Sequence, residues 1–137
     1  MNSTITSILV ATVLQFICGA IWYSALFGKL WGKIHGFDKL PKDVQEKMMK
    51  SMGPMYGVQL LVTVLTTYGL LAISSNLPNH NIFTLAGLLW ICFIVPPQVS
   101  GVIFGGTEST WIVKKIAVQA GAALLCLEVA ALVFYVM

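Results

Sequence analysis

The chain has 137 residues, of which 58% are hydrophobic and only 9% carry a charge. An ordinary soluble domain has about 45–50% apolar and about 25% charged residues, so this chain has too few charges to cover a water-facing surface. The mean hydropathy of +0.87 agrees. The composition excludes a soluble enzyme, a disordered tail and a secreted disulfide-rich domain. It predicts a single domain, residues 1–137, whose main solvent is lipid.

Four apolar stretches are long enough to cross the hydrocarbon core of a bilayer, which is about 30 Å thick and needs about 20 helical residues. They cover residues 4–27, 54–75, 82–104 and 112–136. Asn81 and Thr107 stand where the N-caps of the third and fourth helices would lie. We therefore predict an all-α membrane protein with four transmembrane helices.

All eight basic residues are lysines, and they lie in two connections. Those between the first two spans are Lys29, Lys33, Lys39, Lys42, Lys47 and Lys50, and the pair that opens the fourth span is Lys114 and Lys115. Lysines near the ends of spans mark the cytoplasmic side, and an even number of spans places both termini on the opposite side. The pattern predicts an integral protein of a bacterial inner membrane with both termini outside and the lysine-rich connections in the cytoplasm.

The long connection, residues 28–53, carries a helical pattern of its own, which Pro41 can begin. Its apolar side would consist of Leu40, Val44, Met48 and Met52, and its oppositely charged i, i+4 pairs would be Asp43 with Lys47 and Glu46 with Lys50. These features are typical of a short amphipathic helix at the cytoplasmic surface of the membrane. Its expected partner is membrane lipid, and a protein partner at residues 28–53 is the alternative.

The cysteines and histidines do not form a metal-binding pattern. Cys18, Cys92 and Cys126 lie inside apolar runs without CxxC spacing, so we expect small buried hydrophobes. His35 and His80 each stand in a connection without a second ligand nearby in the sequence. We expect no metal and no cofactor. Because the chain has no arginine and its lysines are confined to connections and helix ends, we expect no nucleic-acid partner.

Aromatic residues close the first span. Trp22, Tyr23 and Trp31 stand at its inner boundary, where an interfacial aromatic belt belongs. The run G-A-I-W-Y-S at residues 19–24, followed by F-G-K at 27–29, resembles the family known as domain of unknown function 1761, and the runs Q-E-K-M-M at 45–49 and F-G-G at 104–106 are similar too. The resemblance covers nearly the whole chain. It implies a four-helix membrane protein with no assigned activity, so it supplies no functional residues.

Polar residues inside the spans are the candidates for a functional site, because ionisable groups in hydrocarbon are rare and costly. Glu128 is the clear case. Gly121 lies on the same face of the fourth helix, and a glycine there permits close packing with another helix. Lys114 is about 21 Å away along the same helix, so a second protomer or a hydroxyl such as Ser7 or Ser74 is the expected partner. The predicted intramembrane polar site consists of Glu128, Gln98, Gln59, Gln15 and Thr67.

Pro96 and Pro97 interrupt the third span. Each lacks the N–H that would bond four residues back, so the carbonyls of Cys92 and Phe93 are expected to have no helical partner. Such a helix break marks a binding site in some transporters, and it is equally typical of a simple kink. Its position beside Gln98 favours a functional role.

Three classes of function remain. We favour a small channel or transporter for ions or small solutes that acts as a homo-oligomer. Four spans leave little room for a permeation path within one protomer, and Gly101 and Gly105 have the GxxxG spacing that favours helix association. The alternative is a non-catalytic membrane subunit or scaffold whose polar residues only fix helix packing. A membrane enzyme is third, and we expect no enzymatic activity, because the sequence lacks a metal cluster, a nearby carboxylate pair, a nucleophile elbow and a phosphate loop. A hydrated cavity joining Glu128 to Gln98 or Lys114 would favour the first class.

Overall fold

The structure, a computed structural model, describes residues 3–137, and its regular elements are helical. The α-helices are α1 (Ser3–Ile21), α2 (Gly28–Ile34), α3 (Lys42–Ser51), α4 (Gly53–Asn76), α5 (Ile82–Leu89), α6 (Val95–Phe104) and α7 (Ile112–Val136). A π-helical turn over Trp22–Leu26 extends α1, a second over Trp90–Ile94 joins α5 to α6, and 3-10 turns cover Phe37–Lys39 and Ser109–Trp111. Residues 1 and 2 of the predicted domain lie outside the described residues.

Four helical stretches are long and apolar enough to cross a membrane, and we refer to them as the first to fourth spans. They are Ser3–Leu26, Gly53–Asn76, Ile82–Phe104 and Ser109–Val136. The shortest has 23 residues, which at about 1.5 Å per residue exceeds the thickness of the hydrocarbon core. The all-helical class with four helices fit to span a membrane is therefore confirmed, and the chain is compatible with an integral membrane protein.

The fourth span lies at the centre of the bundle and packs against the other three. Its buried residues are mostly alanine and valine: Val118, Ala120, Ala122, Leu127, Ala130, Ala131 and Val133. Small side chains let helix backbones approach closely, and van der Waals packing drives helix association where lipid replaces water. The second span is peripheral, since Leu61 and Leu65 are 66% and 69% exposed. Its outer face is therefore not covered by the other spans.

Two predicted helix caps have different outcomes. The side chain of Asn81 accepts a hydrogen bond from the backbone N–H of Phe83 at 2.9 Å, as predicted. Thr107 does not cap the fourth helix, and its hydroxyl instead accepts a hydrogen bond from Lys115 Nζ at 3.4 Å. The prediction for Thr107 was wrong because the 3-10 turn Ser109–Trp111 precedes α7 and moves the start of the helix further along the chain.

The connection between the first two spans is more helical than the sequence predicted. Helix α3 lies where an amphipathic helix was expected, whereas α2 was not predicted. Gly36, with φ of 68°, follows α2 in the left-handed conformation that glycine adopts without strain. Within residues 3–137 no lysine Nζ lies within 4.0 Å of a carboxylate oxygen. The expected i, i+4 ion pairs of α3 therefore do not form, because exposed pairs gain little against the entropy of two long side chains.

Candidate functional site between the spans

A buried hydrogen bond joins the first and second spans at mid-depth. Gln15 is 3% exposed and Thr67 is fully buried. Gln15 Nε2 donates to Thr67 Oγ1 at 2.6 Å and to the carbonyl of Ala11 at 3.1 Å. The two predicted site residues therefore meet, although they are 52 positions apart in the chain. Both donor positions of this amide are therefore satisfied within the protein.

The polar contacts continue along the second span and reach the fourth. Thr67 Oγ1 donates to the carbonyl of Thr63 at 2.7 Å, and Thr63 Oγ1 donates to the carbonyl of Gln59 at 2.8 Å. Cys126 Sγ, on the fourth span, lies 3.7 Å from the carbonyl of Gln15. Gln59 itself is exposed, and its Nε2 reaches only Thr63 Oγ1, at 3.4 Å. This cluster is uncharged and mostly bonded to itself, so its chemistry suits helix packing.

Gln98 stands apart from that cluster. Its side-chain oxygen Oε1 is buried and accepts no hydrogen bond from any residue of the described chain. A buried polar atom without a partner is costly in an apolar environment. Just before Gln98, the third span does not end at its prolines but passes through a π-helical turn. In that turn Val95 N donates to the carbonyl of Trp90, five residues back, and Pro96 and Pro97 follow directly.

Glu128 also has no partner within the described residues. It is half-buried on the fourth span, and among residues 3–137 no side chain donates a hydrogen bond to its carboxylate. The expected hydroxyl partners, Ser7 and Ser74, already donate their protons to backbone carbonyls of their own helices. A carboxylate needs donors, so neither serine is free to stabilise it in this arrangement.

Two tryptophans bond to the backbone of the fourth span. Trp22 Nε1 donates to the carbonyl of Val118 at 3.0 Å, and Trp90 Nε1 donates to the carbonyl of Ala120 at 2.7 Å. The ring of Trp22 also covers Gly121, where a Cβ atom would stand 2.8 Å from Trp22 Cζ2. Trp22, predicted as part of an aromatic belt, therefore packs inward against the fourth span. The other two predicted belt residues contact each other, with the rings of Tyr23 and Trp31 4.9 Å apart.

Trp90 was not among the predicted site residues, although the sequence contains a signal for it. Gly19 and Gly87 each stand three residues before a tryptophan, and in both spans a π-helical turn begins at that tryptophan. The first and third spans run in the same direction, since Ala11 and Ala86, both in the first half of their spans, belong to one core cluster. The same short motif in parallel helices thus presents equivalent indole groups to the central helix.

Two surface clefts lie away from the predicted site. One, of about 370 Å³, is at the end of the bundle where the second and third spans connect, and it is lined by Ser74, His80, Asn81, Ile82, Phe134 and Tyr135. The other, of about 280 Å³, is apolar and lies along the first span, lined by Leu9, Val10, Val13 and Leu14. Neither includes Glu128, Gln98 or Lys114. In residues 3–137 no group of three or more His, Cys, Asp or Glu side chains could hold a metal ion.

These features define a small all-helical protein whose four long helices are fit to span a membrane. The chain belongs to the family described as "Protein of unknown function (DUF1761)", whose model matches residues 6–135. The resemblance drawn from the sequence is thereby confirmed. Comparison with curated proteins and with solved structures found no match.

Proposed function

We propose that this protein resides in a bacterial inner membrane and acts as a homo-oligomeric channel or transporter for ions or small solutes. One observation carries the proposal: Glu128, the only acidic residue within the four spans, has no partner among the described residues of its own protomer. An ionisable group inside a membrane is a functional candidate by default, and it requires a partner, water or a transported ion.

A second copy of the chain is the simplest source of the missing partners. Gly101 on the third span and Gly105 just after its end are both exposed, and small residues at this spacing let two helices approach closely. Association there would also cover the exposed side chain of Phe104, which is 87% exposed. The unpartnered oxygen of Gln98 lies on the same span. Because that oxygen is buried within its own protomer, the second copy is proposed as a partner for Glu128 alone.

The proposed topology places both termini outside and all eight lysines in the cytoplasm. A cysteine introduced at Asn79, in the connection between the second and third spans, should react with a membrane-impermeant thiol reagent added from outside. A cysteine at Lys42 should react only after the membrane is permeabilised. Labelling in intact cells measures both, and the reverse pattern would contradict the orientation inferred from the lysines.

Exchange of Glu128 for glutamine tests the transport proposal. The amide keeps the shape of the side chain but removes the titratable charge, so we expect Glu128→Gln to reduce proton or cation flux in reconstituted liposomes to the background of empty vesicles. Ion-sensitive dyes inside the liposomes measure the flux, and crosslinking checks that the oligomer persists.

The matched control is Glu108→Gln, which makes the same chemical change just before the fourth span. It should leave the flux unchanged. Wild-type protein that carries no flux, or flux that survives in Glu128→Gln, would contradict the proposal.

The alternative function is a non-catalytic membrane subunit or scaffold. It is favoured by the cluster around Gln15 and Thr67, whose hydrogen bonds are made within the protein and suit packing alone. In that case Glu128 would bind a partner subunit, and its exchange would lower the stability of the assembly without affecting any flux. Neither function requires a cofactor or an enzymatic reaction.

A further inference from the structure

Helix α3 projects from the bundle with its apolar side uncovered. It contacts little besides the second span, to which it is joined. Met48, Met49 and Met52 are 46%, 65% and 44% exposed. They continue into Met55 and Tyr56, at the start of the second span, which are also exposed. Exposed apolar patches of this kind usually mark a surface that meets a partner or a membrane.

The charges of α3 are sorted around the helix. At about 100° per residue, the apolar arc runs from Val44 through Met48 and Met52 to Met49. Lys42 stands about 20° beyond the Met49 edge of this arc, and Lys47 stands about 60° beyond the Val44 edge. Glu46 stands about 60° beyond the Met49 edge, whereas Asp43 and Lys50 lie on the opposite side of the helix. Lys42 is therefore the charge nearest the surface that the methionines would meet, and Lys42 and Lys47 are the lysines that flank it.

The lysines of this region are free to bind anions. Residues 28–53 contain six lysines against three acidic residues, and all six lysines are exposed. None lies within 4.0 Å of a carboxylate in the described part of the chain. An ammonium that is not already paired can approach a phosphate without first breaking an ion pair. The net positive charge is therefore available to a negatively charged surface.

Chain continuity decides what that surface is. Only Met52 separates the end of α3 from the start of α4, so α3 ends at the level where the second span begins. The first span ends in the same region, with Tyr23 and Trp31 in contact. Apolar side chains at this level meet the boundary between headgroups and acyl chains, and long lysine side chains extend from there to the phosphates.

We propose that α3 docks on anionic phospholipid headgroups of the membrane that the spans cross, with its methionines in the upper acyl region and Lys42 and Lys47 at the phosphates. The inference rests on the membrane location in the proposed function and is independent of any transport. It fits a phosphatidylglycerol-type lipid, whose headgroup carries a net negative charge. Anionic surfaces attract each nearby lysine enough to change binding by roughly 5-fold.

A fluorescent probe on α3 tests this docking. The environment-sensitive dye NBD is attached to a single cysteine at Met49, in full-length protein whose three native cysteines are replaced by alanine. The protein is placed in nanodiscs of phosphatidylcholine, alone or mixed with an equal amount of phosphatidylglycerol. With phosphatidylglycerol, the emission at position 49 should shift to shorter wavelength and be quenched by lipids that carry a nitroxide. A probe at Asp43, on the opposite side of α3, should remain accessible to aqueous iodide.

Two variants with the same change in net charge distinguish a specific role of the edge lysines, Lys42 and Lys47, from a general electrostatic attraction. The double variant Lys42→Gln, Lys47→Gln and the single variant Lys50→Glu each remove two units of positive charge. The double variant should lower the equilibrium constant for docking by roughly 25-fold, and Lys50→Glu should lower it by less than about 5-fold. Equal effects of the two variants would overturn the assignment of the edge lysines.

A probe at Met49 that stays accessible to iodide in discs with phosphatidylglycerol would overturn the proposal as a whole and leave a protein as the partner of α3. The emission of the probe and its quenching do not depend on whether the protein carries flux. The test therefore separates failure of lipid docking from failure of the transport proposal.

Discussion

Replacing Gly121 with alanine is expected to lower the free energy of unfolding by about 1–3 kcal/mol, the usual cost of an extra methyl group in a well-packed interior. The new Cβ would stand 2.8 Å from Trp22 Cζ2 and 3.1 Å from Cη2. The ring cannot simply retreat, because Trp22 Nε1 donates to the carbonyl of Val118 one turn away. Either this hydrogen bond breaks or the first and fourth spans separate. Unfolding in mixed detergent micelles, followed by circular dichroism, measures the loss.

The matched control is Gly69→Ala in the second span, where nothing lies within 4 Å of the added Cβ. The intrinsic helix preference of alanine over glycine is about 1 kcal/mol, so this variant should be neutral or slightly stabilised. The two substitutions are chemically identical, and only Gly121→Ala should be destabilising. Similar destabilisation by both would show that the contact with Trp22 is not what makes alanine costly at position 121.

Removing an indole that bonds to the fourth span is expected to have the largest effect on stability. Trp90→Ala and Trp22→Ala should each cost about 3–5 kcal/mol, the range for deleting a packed aromatic side chain. Phenylalanine at either position keeps most of the ring but loses the N–H, so those variants should lose less than the alanine variants. The remaining loss includes the hydrogen bond, whose net worth is typically about 0.5–1.5 kcal/mol. The same unfolding measurement by circular dichroism applies.

Trp111→Ala serves as the control for general loss of an aromatic residue. Trp111 is half-buried in the 3-10 turn before α7, and the Lys114 ammonium lies 5.0 Å from the centroid of its ring. Its indole makes no hydrogen bond to the fourth helix among the bonds found in residues 3–137. We expect a loss well below that of Trp90→Ala. If Trp111→Ala lowers the free energy of unfolding as much as Trp90→Ala does, the hydrogen bonds from indole groups to the carbonyls of the fourth span are not the source of the stability.

The polar site could be predicted in part, because the sequence reports how deep a residue lies but not which way it points. Gln15 and Thr67 were expected near mid-depth, and they meet in a buried hydrogen bond. Gln59 was expected in the same site, and the structure leaves it exposed. Depth follows from counting residues along a span, whereas direction depends on how each helix is rotated against its neighbours.

The inward position of Trp22 illustrates the same limit. An aromatic residue at the end of a span matches an interfacial belt by its position alone. Its actual contact requires a glycine 99 positions later, at Gly121, to leave space for the ring. No pattern local to residues 19–31 contains that information. The repeated spacing of glycine and tryptophan in the first and third spans was the only local indication that Trp90 has an equivalent role.

The sequence by itself determined the four long helices, the approximate ends of each and the one-sided distribution of lysines, because these depend on local hydropathy and on charges near the span ends. Only the tertiary structure decided that the fourth span is central and that two indoles bond to its backbone. It also decided that both amide protons of Gln15 are bonded, that Gln98 Oε1 is buried without a partner, and that Glu128 has no partner among the described residues. The physical reason is that a hydrogen bond between helices requires a specific rotation and separation of both, and these are set by packing among residues far apart in the chain.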